Sequence, residues 1–344
     1  MEKFRVGIIG MGKMGLLHAA ILNSLPDTKV VSMADTESFV IDFLKKYSVG
    51  IQPYKDYKEM IDKSEPDIVY ITTPVSAHIP MASFCAERKI DFFIEKPLAR
   101  NSQECRVLCD LVKKNKVNNM VGFVLRYIET FAKTKEFLDQ KIIGEITNVR
   151  STVYQSHFLK KRTGWRFKKE ISGGGVLIDI GIHLIDLLLW YFGDIKSVDG
   201  TMKGSNNEIE DAVSATITFD KGFKSSFEAS WNVENYRMQE TTLEIVGEKG
   251  TIKVNQDYVK IQYHNSANET QQDLVYHKQS LYQSVPVDIG GAEYTREDMD
   301  FIRCVKNHQQ PMLNVLDVSK TQSVVDAIYQ SAKIKSTQVV NYIT

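Results

Sequence analysis

Cysteine is scarce in this chain: Cys85, Cys105, Cys109 and Cys304 are the only four in 344 residues, and no two form a Cys-x-x-Cys pair. That absence excludes the paired-cysteine metal and redox motifs. Cys105 and Cys109 stand four apart on one predicted helix, but no histidine or acidic cluster accompanies them, so no metal site and buried, reduced thiols are expected. Net charge is missing too, with 43 Lys plus Arg against 43 Asp plus Glu. Nothing in the bulk charge argues for nucleic acid or a membrane surface, and any charged site must be local. There is no internal repeat, low-complexity segment or flexible linker, and no cationic segment followed by a long apolar stretch at the start. The most apolar run is broken by Asp179, His183 and Asp186, which reads as no membrane-spanning helix. A cytoplasmic protein of two domains is expected, with 43% hydrophobic and 25% charged residues, ordinary for a globular chain of this length.

What is present begins at once. Phe4 to Ile9 reads as a buried strand, and Gly10-Met11-Gly12-Lys13-Met14-Gly15 follows it directly, opening into the helical pattern Leu16 to Leu25. In this context a GxGxxG has a mechanism. Gly10 permits the tight turn, Gly12 lets backbone approach a pyrophosphate, Gly15 lets helix and strand pack closely, and the amides of Lys13 and Met14 face an anion at the helix N-terminus. A second strand, Lys29 to Ala34, ends in Asp35, where a carboxylate accepts the ribose hydroxyls of NAD. Thr36-Glu37-Ser38 offers no cation for a 2′-phosphate, which favours NAD over NADP.

Strand and helix patterns then alternate through Asn119 to Val124, as a doubly wound parallel sheet requires. Ligands in such sheets bind beyond the carboxyl ends of the strands, and two loops there stand out. Thr73, Pro74 and His78 lie in the first, where hydroxyls and amides could line the cofactor, although His78 also suits a helix start that merely caps or packs. Glu95-Lys96-Pro97 forms the second, where Glu95 and Lys96 are candidate cofactor contacts, partial desolvation would suit the amine to proton transfer and Pro97 could adopt a cis bond. Further on, Gly173-Gly174-Gly175 leads into Val176 to Trp190. If this is helical from about Gly175, Asp179, His183 and Asp186 fall at i, i+4 and i+7 on one face. Uncompensated burial of such groups costs several kcal/mol, so they are either mutually satisfied in a core or exposed in a cleft. Beyond residue 124 successive strands without intervening helices, with a hairpin at Gly247-Glu248-Lys249-Gly250, indicate a second domain of α+β type with a large, mainly antiparallel sheet. The division is therefore residues 1–123 for a dinucleotide-binding Rossmann domain and 124–344 for substrate binding and oligomerisation.

GxGxxG, Thr-Pro-x-x-x-His, Glu-Lys-Pro and Gly-Gly-Gly-x-x-x-Asp-x-Gly-x-His-x-x-Asp occur in that order. The combination resembles the Gfo/Idh/MocA family, that of glucose-fructose oxidoreductase and inositol dehydrogenase, and the likeness extends to the closing helix Asp326 to Ala332. The resemblance implies a two-domain NAD(P)-dependent oxidoreductase acting on one CH–OH carbon of a sugar, a cyclitol or a nucleotide sugar. It also implies Lys96, Asp179 and His183 as the catalytic set, and a homodimer or homotetramer formed through the C-terminal sheet. His183 is read as the base, Lys96 as the group that stabilises developing alkoxide or relays the proton, with the base role open between them. Asp179 would orient substrate or Lys96, and Asp186 is read as either supporting the catalytic residues from behind or structural. Arg126, Tyr127, His157, Trp165, Arg166 and Tyr236 are candidate substrate contacts, and His18 is read as packing. Two other outcomes stay open: an NAD-dependent glycosidase or lyase using transient oxidation, and a dinucleotide-sensing regulator, against which the retained Lys96, Asp179 and His183 argue.

Overall fold

The computed structural model describes residues 3–47, 50–156, 164–204, 209–264 and 272–343. His157 and the basic residues Lys160, Lys161 and Arg162 lie outside them. The chain packs as two compact units. The first runs to Val124 and regains Ser284–Ser319, a return that the division at residue 123 does not include; the second holds Leu125–Gln283 and Lys320–Tyr342.

The first unit is built on β1 (Phe4–Ile9), α1 (Lys13–Ser24), β2 (Thr28–Ala34), α2 (Ser38–Tyr47), β3 (Gln52–Tyr54), α3 (Tyr57–Ser64), β4 (Ile68–Ile71), α4 (His78–Glu87), β5 (Asp91–Glu95), α5 (Ser102–Asn115) and β6 (Asn119–Gly122). Its six strands are all parallel in the order β3-β2-β1-β4-β5-β6. The strand order reverses between β1 and β4, which places the ligand crevice at the loops after those two strands. Helices on both faces bury the central strands: Ile8, Val69, Tyr70, Phe92, Phe93 and Met120 are 0% exposed, hence the near-continuous apolar runs. Sequence patterns placed β1, β2, β4, β5 and β6 but passed over α2, β3 and α3, of which β3 has only three residues.

The second unit comprises α6 (Glu129–Asp139), β7 (Ile146–Tyr154), α7 (Lys169–Ser172), α8 (Ile182–Phe192), β8 (Ile195–Lys203), β9 (Ala212–Phe219), β10 (Lys224–Ser230), β11 (Glu240–Gly247), β12 (Gly250–Val254), β13 (Tyr258–Tyr263), β14 (Leu274–His277) and α9 (Lys278–Leu281). α10 (Ala292–Lys306) belongs to the first unit, and α11 (Val315–Ile334) and β15 (Gln338–Val339) close the chain. The nine strands run β14-β13-β12-β11-β7-β10-β9-β8-β15 and pair antiparallel except β7 with β10. The two expected sheets are thus present, parallel in one unit and mainly antiparallel in the other. Strand residues alternate in burial, as along β11 where Thr241, Leu243 and Ile245 are buried, because one face packs on the core.

Among the described residues, one helical stretch, Lys169 to Phe192, is long and apolar enough to be weighed as a membrane span. Yet 83% of its apolar window is buried inside the protein, so it is a core helix. All four cysteines are free and buried, and burial pushes the Cys85 thiol up to about 12.

Candidate active site

The glycine turn leaves open a cradle that a dinucleotide would fit. Gly10 has φ of +92°, and a Cβ there would strike the Thr73 side chain at 2.8 Å. At Gly15 a Cβ would lie 2.0 Å from the Gly10 carbonyl oxygen, whereas at Gly12 it would meet nothing within 4 Å. Two glycines are therefore needed for packing, and the third leaves open the approach to the N-terminus of α1. Asp35 closes the cradle: its carboxylate accepts from the Met11 amide at 2.7 Å and from the Glu37 amide at 2.9 Å. Each oxygen keeps a further lone pair, so ribose hydroxyls can still be accepted. These residues fit NAD.

The Lys96 loop is tied to that cradle. His78, 1% exposed, has Nδ1 2.8 Å from the Pro97 carbonyl oxygen and Nε2 2.8 Å from that of Thr73. Burial lowers its pKa despite these two carbonyls, and the neutral ring donates to one of them. His78 thus bridges the two loops, and the Lys96–Pro97 bond is cis. On the other side of Lys96, Glu95 accepts from the Lys96 amide at 3.1 Å and meets His18 Nε2 at 3.2 Å. His18 Nδ1 lies 2.8 Å from Asp298 on α10. His18 is therefore more than packing, as it stands between two carboxylates.

Both ring nitrogens of His18 face acceptors, an arrangement suited to imidazolium. Burial opposes the charge, but Asp298 and Glu95 outweigh it and lift the His18 pKa well above 6.5. Asp298 is itself raised by burial against the pull of His18 and a hydrogen bond from Tyr70, and the rings of Phe93 and Tyr294 also pack around His18. The raised His18 value sets the sign: the stabilisation it brings is complete below the unfolded imidazole pKa and is lost as pH rises through the folded one. Denaturant titrations of wild type and Asp298→Asn between pH 6 and 10 should show the wild-type advantage shrinking as the solution becomes alkaline. An advantage that grew with pH would contradict the charged pair.

In the second unit the glycine run has a steric cause. A Cβ on Gly174 would lie 2.0 Å from the Tyr329 hydroxyl oxygen, and one on Gly175 would lie 2.0 Å from the Glu210 carbonyl oxygen. Glu210, 8% exposed, caps the helix start: its carboxylate accepts from the amides of Gly175 at 3.0 Å and Leu177 at 2.9 Å and from Tyr329 Oη at 2.8 Å. Burial pushes this carboxyl up against those bonds. The helix then opens into a π turn over Leu177–Gly181 before continuing as α8. Simple α spacing therefore does not describe Asp179, which lies within the π turn; such turns recur at functional sites.

The three titratable groups separate. Asp179 keeps 21% of its side chain exposed and has Arg166 Nε 3.7 Å away. His183 is buried at 6%. Asp186, 1% exposed, takes a two-pronged ion pair from Arg126 at 2.8 and 2.7 Å. Burial raises Asp186 and Arg126 pulls it down. Arg126 is thereby engaged inside its own unit, with its guanidinium 5.3 Å from the centre of the Trp190 ring, while Tyr127 is half-buried beside it. Arg166 also stacks 4.6 Å over Trp165, so Trp165, Arg166 and Asp179 come together. Tyr236 packs edge-on against Tyr154, whose hydroxyl donates to Glu228 at 2.5 Å.

Residues 4–123 match the oxidoreductase family with an NAD-binding Rossmann fold, and residues 131–253 match the GFO/IDH/MocA C-terminal domain. Oxidoreductase P35 of Formosa agariphila is 30% identical over 72% of this chain and 77% of its own length. The chain belongs to the Gfo/Idh/MocA family. A scyllo-inositol 2-dehydrogenase (NAD(+)) of Bacillus subtilis is 26% identical over 92% of the chain and 91% of that protein. A levoglucosan dehydrogenase solved with NADH and levoglucosan superposes with a TM-score of 0.88 at 25% identity, over 99% of this chain and all of that one.

This Gfo/Idh/MocA member is thus an oxidoreductase with an NAD-binding Rossmann domain. Sequence reasoning missed Asp298, Glu210 and Tyr329. Each acts on a partner distant in sequence, Asp298 across 280 residues and Tyr329 across 119. The Glu210-Asp211 pair just before a strand was the one visible signal.

Proposed function

We propose that the chain transfers hydride between NAD and a secondary alcohol or ketone carbon of a sugar, a cyclitol or a nucleotide sugar. The observation that carries this reading is the fixing of Lys96: His78 ties its loop to the loop that packs on the glycine turn. Bound NAD supplies the hydride acceptor at its nicotinamide ring. The chain must then remove the hydroxyl proton, since an aliphatic hydroxyl is a poor acid near neutral pH. His183 is the base, and Lys96 as ammonium donates a hydrogen bond to the same oxygen and stabilises the charge that develops there. Asp179, beside Arg166, orients the substrate, and Trp165 offers a flat apolar surface for a sugar ring. The named relatives, a levoglucosan and an inositol dehydrogenase, support the substrate class.

A panel of inositols, aldoses, anhydrosugars and UDP-sugars, screened with NAD and NADP in parallel at 340 nm, tests the reading. Reduction of NAD with at least one cyclic polyol is expected. A protein that binds NADH yet reduces no NAD with any member would sink it.

A further inference from the structure

His18 and Asp298 have no part in the chemistry above, although they form a fully buried charged pair. Such a pair is costly to build, because the desolvation of two ions can exceed their attraction, so stability alone does not account for it. The geometry shows where the pair leads. His18 lies on α1, one turn past the glycine motif, and Asp298 on α10, and the free side of the imidazole meets Glu95 Oε1 at 3.2 Å. The other oxygen of Glu95 accepts the backbone amide of Lys96 at 3.1 Å. Gly122 on β6 leaves the room: a Cβ there would come within 3.4 Å of Glu95 Oε2 and 2.9 Å of the Phe93 ring. Downstream, the Pro97 carbonyl is held by His78.

We propose that the Asp298–His18–Glu95 relay is a positioning device for Lys96, with His18 acting through Glu95 on one side of the lysine while His78 holds the other. The inference rests on the functional reading of Lys96 given above. Asp298 fixes the orientation of the imidazole, and the imidazole fixes Glu95. Glu95 in turn sets the peptide from which the Lys96 side chain departs. Displacing a catalytic group by about 1 Å can cost on the order of 10²-fold in rate, so a relay three residues deep has leverage on turnover without touching substrate.

Two measurements on Asp298→Asn and His18→Asn test it. In hydrogen exchange, the peptide containing Glu95 to Leu98 should exchange at least tenfold faster, while the peptide covering β1 stays as in wild type. Unchanged exchange at Lys96, or equal loss of protection in β1, overturns the proposal whether or not a substrate has been found. With a substrate in hand, kcat should fall about tenfold or more, with KM and the NADH dissociation constant within about twofold of wild type. Combining Asp298→Asn with Lys96→Arg should then give less than the product of the two single losses, because one acts through the other. Multiplicative losses would mean that the pair does not act through Lys96. Wild type that turns over nothing while the exchange result holds would count against the functional reading and leave the relay standing.

Discussion

Lys96→Met is expected to reduce kcat by about 10² to 10⁴ while NADH binding changes little. The asymmetry follows from where the lysine sits. The cradle is made by backbone at Gly10 to Gly15 and by the Asp35 carboxylate, none of which the substitution touches. Its neighbours Glu95 and Pro97 are anchored by buried histidines, so the loop should keep its course without the ammonium. On the proposed role, what is lost is a donor to an oxygen whose charge grows during the reaction, an interaction stronger in the transition state than in the ground state. Stopped-flow turnover with fluorescence titration of NADH separates the two effects. A variant whose NADH affinity fell as far as its kcat would assign Lys96 to cofactor binding instead.

Arg126→Ala should destabilise the protein by about 3 to 5 kcal/mol, the usual consequence of stripping one partner from a buried ion pair. Asp186 would be left almost fully buried on α8 without its counter-ion. Burial already raises the Asp186 carboxyl, and without Arg126 it would rise further. The loss should therefore be smaller at pH 5, where the acid can be neutral, than at pH 8, where folding must keep a proton that the unfolded chain releases. Replacing both partners together, as Arg126→Met with Asp186→Leu, should recover much of the stability, since a packed apolar pair avoids the desolvation of two charges. Urea midpoints of the two single variants and the double variant at both pH values would check this. A double variant no better than Arg126→Ala would argue that Arg126 has a further essential role.

The two predictions rest on features that were unequally visible in the sequence. Period-2 and continuous apolar runs mark the strands because burial on one or two faces leaves a direct imprint on neighbouring residues. GxGxxG and Glu-Lys-Pro were legible for the same reason, as each acts within a few residues. Asp179, His183 and Asp186 were visible as titratable groups on an apolar helix, but their separation into a half-exposed acid, a buried histidine and an ion-paired carboxylate was not. The π turn alters the helical register where the spacing argument assumed none, and the partner of Asp186 lies 60 residues upstream. The glycines before the helix carried no steric reason in the sequence, yet Gly174 and Gly175 are small because Tyr329 and Glu210 lie against them. His18 was the least legible of all, since nothing near it in the chain announces two carboxylates.

The return of Ser284–Ser319 to the first unit bears on how this enzyme can be taken apart. An N-terminal fragment cut near residue 123 would contain every strand of the parallel sheet and the whole glycine motif, and would pass by sequence for a complete nucleotide-binding module. It would lack α10, and with it Asp298, leaving the imidazole of His18 and the carboxylate of Glu95 alone in an apolar setting of Tyr70 and Phe93. It would also lose the strand-like bond from the Val121 amide to Leu313 and the bond from the Val315 amide to Asn119 at the sheet's edge. Domain exchange among relatives should therefore move two pieces of chain together, the first 124 residues and the segment that carries Asp298.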